Sequence, residues 1–149
     1  MITRRSLAIW GLMVPLASAR SHAQEPARFF LIYFRWNSTI LRPNMLRRIL
    51  EAARAAQHHR TARVEVAGYT DTSMSDDDSM NISLRMAEVV ADELIKQGVK
   101  ANVIAVSAMG ESNLVKPTAD GVIEPYNRRV EIRLHQTSNP TKSSVGRKW

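Results

Sequence analysis

Two period-two runs, each joined to a short charged string, constrain this chain more than any other feature. Arg63-Val64-Glu65-Val66 alternates polar and apolar residues and closes on Gly68-Tyr69-Thr70-Asp71, while Asn127-Arg128-Arg129-Val130-Glu131 opens a second alternation. Such alternation belongs to strands that lay one face on a core. An acid at the end of one strand and two guanidinium groups at the start of another suit a ligand carrying both an amine and a carboxylate. That is binding chemistry, and no reaction is implied by it.

The rest of the chain supplies the other layers. Phe29 to Trp36 is almost wholly apolar or aromatic, the pattern of a strand buried on both faces, and Asn37-Ser38-Thr39 ends it. Pro43 suits the first turn of a helix, and Leu46, Ile49, Leu50 and Ala53 follow at helical spacing as far as His58-His59-Arg60. A second strand, Ala62 to Ala67, leads into the Gly68 turn. Asp76-Asp77-Asp78-Ser79 sets acids where a helix N-terminus favours negative charge; consecutive acids lack the alternate spacing of a calcium loop, so capping is the better reading. The helix is expected from about Met80 to Gln97, with Gly98 stopping it. Val103 to Ser107 reads as a third strand ending near Met109-Gly110-Glu111. After a loop containing Pro117, Gly121 and Pro125, Arg129 to Leu134 reads as the last. This order predicts an α+β fold, a two-layer α/β sandwich of βαβαββ topology with two helices packed on one face of a mixed four-stranded sheet.

With 149 residues and 44% apolar content, one domain with one core is expected, spanning residues 29–135. Residues 1–23 read as a cleavable export signal: Arg4-Arg5, an apolar stretch from Leu7 to Leu16, then Ser21-His22-Ala23. Thr3-Arg4-Arg5-Ser6-Leu7 also resembles a twin-arginine signal, so both the general and the twin-arginine routes stand. The stretch is short for a bilayer span and Pro15 interrupts it, so no transmembrane segment is expected in the mature chain. Residues 24–28 read as a linker and residues 136–149 as a flexible polar tail. The chain has no cysteine, so its core must hold without disulfides. Removing residues 1–23 takes three arginines from the net charge of +7. Arg42, Arg47, Arg48, Arg54, Arg60 and Arg63, on or beside the first helix, read as a solvated face before a surface for an anionic polymer, and an exported chain without interleaved aromatic residues gives no reason to expect nucleic acid.

The strand Phe29–Phe34 with Trp36-Asn37-Ser38, the turn Gly68-Tyr69-Thr70-Asp71, the pattern Ile82-Ser83 with Arg85 and Ala87, then Gly110-Glu111 and Asn127-Arg128-Arg129-Val130-Glu131, together resemble the OmpA-like C-terminal domain. The resemblance implies a non-catalytic domain of the periplasm, associated with the cell wall or outer membrane, that binds peptidoglycan by gripping the diaminopimelate of its stem peptide. It implies ligand-binding roles for Asp71, Thr70, Asn37, Asn127, Arg128 and Arg129, with Asp71 meeting the ammonium. No cofactor is expected, and no metal either, because the adjacent His58-His59 at a helix end read as solvent-exposed.

Three positions depart from the family pattern. Met86 stands where the family has an arginine for a ligand carboxylate, Met74 where it has a glycine, and Ser79 where it has an asparagine. At about 100° per residue, Ser83, Ala87, Val90, Ala91 and Leu94 form the buried stripe of the second helix, which puts Met86 on its rim and Arg85 nearly opposite the core. Weakened peptidoglycan affinity is therefore one reading. The other is a scaffold or protein-interaction domain docking an envelope partner through the apolar stripe Ile82, Met86 and Val89, a stripe that serves equally well as extra core. His58, His59 and His135 have no evident nucleophile to serve, so no enzyme is expected.

Overall fold

The computed structural model describes residues 28–58 and 61–136; the expected export signal and the tail beyond Gln136 lie outside them. The described elements run β1 (Arg28–Tyr33), α1 (Pro43–His58), β2 (Thr61–Tyr69), α2 (Asp76–Lys96), a single 3-10 turn (Ala101–Val103), β3 (Ile104–Ala108) and β4 (Arg129–Gln136). The sheet order is β1-β4-β2-β3. β4 lies antiparallel to both β1 and β2, and β2 lies parallel to β3. The expected sandwich is what forms: both helices cover one face of a mixed four-stranded sheet.

That face carries Val64, Val66, Val130, Ile132 and Leu134, all wholly buried, and the helices meet them with Met45, Ile49, Ala52, Ala53, Ala87, Val90 and Leu94. Pro43 opens α1, where its fixed φ suits the first turn and its missing N–H costs nothing. Ser75 caps α2, accepting the Asp78 amide at 3.3 Å and donating its hydroxyl to the Asp78 carboxylate at 2.8 Å, so the acids occupy the first turn as capping requires. The helix thus begins four residues before the expected Met80. At its other end Gly98 takes φ +96, and the Val99 amide bonds back to Leu94, a left-handed stop that glycine adopts at little cost.

Three expectations give way. β1 is an edge strand, not a strand buried on both faces: Phe29 and Tyr33 are 44% and 38% exposed, because only the Ile32 and Phe34 side is covered by helices. On α1 the buried face is Met45, Ile49, Ala52 and Ala53, leaving Leu46 partly in solvent. Met86 is not on a rim. It is 1% exposed within the main core, because α2 packs against α1 as well as the sheet and so buries a wider arc than one stripe. Ile82 and Val89 pack against the same cluster, so the stripe serves as core.

Candidate ligand-binding site

Inserting the last strand beside β2 brings the two charged strings together. In the β2–β4 register Gly68 faces Val130 and Tyr69 faces Arg129, so the end of β2 and the start of β4 share one edge of the sandwich. Parallel β3 ends at the same edge, where the Met109 amide donates to the Gly68 carbonyl and the Thr70 amide to the Gly110 carbonyl at 2.8 Å. The N-terminus of α2 follows a few residues later. Its close approach requires Gly68: a Cβ there would lie 1.9 Å from the Ser83 carbonyl oxygen.

Asp71, 1% exposed, is the centre of this edge. Arg128 donates to its Oδ2 through a buried ion pair, and the Glu124 amide donates to the same oxygen at 2.9 Å. Its Oδ1 accepts the Ser73 hydroxyl at 2.5 Å and the Ser73 amide at 3.3 Å. Burial alone would raise this carboxyl, but the hydrogen bonds from Ser73, Arg128 and the Glu124 amide outweigh it and hold its pKa below the ordinary aspartate value. Asp71 is therefore an anion at neutral pH. Nearby, burial and then the charges of Asp76 and Asp120 push Glu111 upward, which marks a locally negative field.

The other expected residues divide. Arg129 stands on the opposite sheet face, as strand alternation demands of Arg128's neighbour. There its guanidinium stacks 4.0 Å over Tyr69, pairs with Glu131 at 2.8 Å and donates to the Asn113 carbonyl. Only one of the two arginines faces Asp71. Asn127 is wholly buried and spends its amide on Lys116, donating to the carbonyl at 2.8 Å and accepting the backbone N–H at 2.9 Å, so it fastens the loop before β4. Asn37 is exposed in the turn after β1 at φ +44, a left-handed position that asparagine tolerates. Arg85 is exposed, away from the core.

Buried polar atoms without a partner identify which groups have capacity left for a ligand. Among the described residues these include Thr70 Oγ1, Ser79 Oγ and Arg128 Nε, on the β2 end, the first turn of α2 and the β4 start. Thr70 and Arg128 flank Asp71 directly. The edge thus offers an anion for an ammonium group, and a guanidinium with an unused N–H for a carboxylate. Ser73 and Trp36 join the edge beyond the residues that the sequence singles out: the indole Nε1 donates to Ser73 Oγ at 3.0 Å, linking the loop after β1 to Asp71. The signal for Ser73, a hydroxyl two residues after the acid and able to bond back to it, was present in the sequence.

A separate groove of about 280 Å³ lies on the helix-free face of the sheet, lined by Arg63, Glu65, Tyr69, Glu131 and Arg133 among others. Its charges are paired with one another, Glu131 with Arg129 and Arg133 and Glu65 with Arg63, so the Asp71 edge carries the better chemistry.

Residues 33–128 match the model of the OmpA family. The chain is 40% identical over 119 residues to an outer membrane protein of Gluconacetobacter diazotrophicus, a match covering 76% of this chain and 32% of that protein. It is 38% identical over 71 residues to the peptidoglycan-binding protein ArfA of Mycobacterium tuberculosis, covering 48% of this chain and 22% of the relative. The chain thus spans a third or less of the length of these two relatives. Among solved structures, the peptidoglycan-associated lipoprotein of Burkholderia pseudomallei aligns over 71% of this chain and 90% of its own with a TM-score of 0.65; at 19% identity this likeness is one of fold.

Proposed function

The chain belongs to the OmpA family, and from that premise we propose that it is a non-catalytic envelope domain that binds peptidoglycan through the diaminopimelate of the stem peptide, on the periplasmic side of the outer membrane. The observation that carries this reading is the buried Asp71–Arg128 pair, flanked by the unpartnered Thr70 hydroxyl and Arg128 Nε. A zwitterionic amino-acid head group complements it: the ammonium meets Asp71, and the carboxylate meets Arg128. With Met86 in the core, no cation from α2 joins that grip, and the affinity rests on Arg128. A charged hydrogen bond contributes about 1.5–3 kcal/mol, so a site lacking one binds roughly 10- to 100-fold more weakly.

Among the described residues no histidine is hydrogen-bonded to a serine of this edge. Ser73 bonds to a carboxylate and an indole, while His135 lies beside Glu65 at the far end of β2 and His58 is exposed at the end of α1. The protein-docking alternative depended on Ile82, Met86 and Val89, which pack into or against the core. Sedimentation with purified diaminopimelate-type peptidoglycan tests the proposal. The protein is expected in the pellet, and Asp71→Asn in the supernatant; equal retention of both would remove Asp71 from the binding site.

A further inference from the structure

Trp36 is 49% exposed, yet its indole N–H is not directed to water. It donates to Ser73 Oγ at 3.0 Å across 37 residues of sequence, and the same hydroxyl donates to Asp71 Oδ1 at 2.5 Å. The polar edge of the ring is therefore anchored two hydrogen bonds from the carboxylate, while half the residue remains in solvent. Here the fold spends the N–H on fixing the ring's direction and leaves apolar surface beside the acid.

Ser73 is the donor on Asp71 that yields most readily, since its hydroxyl can rotate, whereas the Glu124 amide is backbone and Arg128 is buried. An ammonium that takes Oδ1 in place of the Ser73 proton would sit next to the indole. The carbon chain attached to that ammonium then leaves the site across the ring.

Resting on the peptidoglycan reading above, we propose that Trp36 is a ligand-contacting residue that packs the hydrocarbon chain of the bound diamino acid and so selects for chain length. Each methylene removed from water contributes about fourfold in affinity, so two methylenes against the ring separate a long diamino acid from a short one by about 15-fold. The head groups held by Asp71 and Arg128 make no such distinction.

Titration of the full chain with diaminopimelate and with 2,4-diaminoglutarate, which keeps both amino-acid head groups and lacks two methylenes, followed by NMR, tests this. The wild-type protein is expected to prefer diaminopimelate about 15-fold, and its Trp36 indole resonance is expected to move with the longer ligand. Trp36→Ser should bring the ratio of affinities near one, and Trp36→Phe, which keeps an apolar ring without the N–H, should retain most of the preference. A ratio unchanged in Trp36→Ser would overturn the role of Trp36 while leaving the Asp71 site intact. Loss of the preference in Trp36→Phe as well would assign the residue to holding Ser73, and would also overturn it. Asp71→Asn separates the two readings: it should weaken binding of both ligands at least tenfold, and failure of diaminopimelate to bind the wild-type protein would remove the underlying reading and this one together.

Discussion

Arg128 closes on Asp71 across 57 residues of sequence, and the Glu124 amide meets the same carboxylate across 53, so one buried acid ties the start of β4 and the loop before it to the end of β2. The pair is a structural fastening and, in the proposed function, also the charged centre of the binding site. Its two roles are separable by experiment, because stability and ligand affinity respond differently to removing one partner or both.

Asp71→Ala leaves a buried guanidinium, 6% exposed, without its counter-charge. Breaking a buried pair in this way costs about 3–5 kcal/mol, whereas replacing both charges with apolar groups costs much less. Urea unfolding should show Asp71→Ala strongly destabilised and Asp71→Ala/Arg128→Met partly restored. Additive losses in the double variant would show that the two charges are not coupled.

The acid limb of stability should carry the signature of Asp71. Its folded pKa lies below the ordinary aspartate value, so its contribution is complete above that value and is lost as pH falls through the lower, folded one. Glu111 has the opposite sign: its pKa is raised by burial and then by Asp76 and Asp120, so its contribution is complete at low pH and is lost as pH rises through the raised value. Urea midpoints measured from about pH 7 down to about pH 2.5 should fall less steeply below about pH 4 in Asp71→Asn than in the wild-type protein.

Gly68→Ala tests the contact between β2 and α2. A methyl group 1.9 Å from the Ser83 carbonyl oxygen forces the helix outward, and because the obstacle is backbone no rotamer relieves it. A loss of at least about 1–3 kcal/mol is expected by thermal or urea unfolding.

Met86→Arg is expected to destabilise the fold. The residue is 1% exposed in the core cluster, where an unpaired charge is costly, while Met86→Leu, close in volume, should lie within about 1.5 kcal/mol of the wild-type protein. A stable Met86→Arg protein that binds diaminopimelate more tightly would show that the arginine escapes to the ligand edge.

Element order and layer arrangement were legible because periodicity is a local property: Val64 and Val66 alternate, Ile49 and Ala53 recur four apart, and Gly98 punctuates α2. Whether β1 would be central or at an edge was not legible, since its apolar residues say nothing of which strands flank them. A stripe laid against one partner puts Met86 on its rim, whereas α2 has two partners and buries it. At the site, alternation alone puts Arg128 and Arg129 on opposite faces. The burial of Arg129 against Tyr69 and the Asn113 carbonyl, however, depends on how the long loop before β4 closes. The clamp of Asn127 on Lys116 belongs to the same closure, and no local pattern encodes it.

The most direct test of the central claim is the affinity of the wild-type protein for a soluble diaminopimelate-containing stem peptide, measured beside Asp71→Asn under conditions where both are folded. Saturable binding in the wild-type protein, with at least a tenfold loss in Asp71→Asn, is the predicted result. Equal affinity in the two proteins, or no binding by the wild-type protein at millimolar peptide, would contradict it.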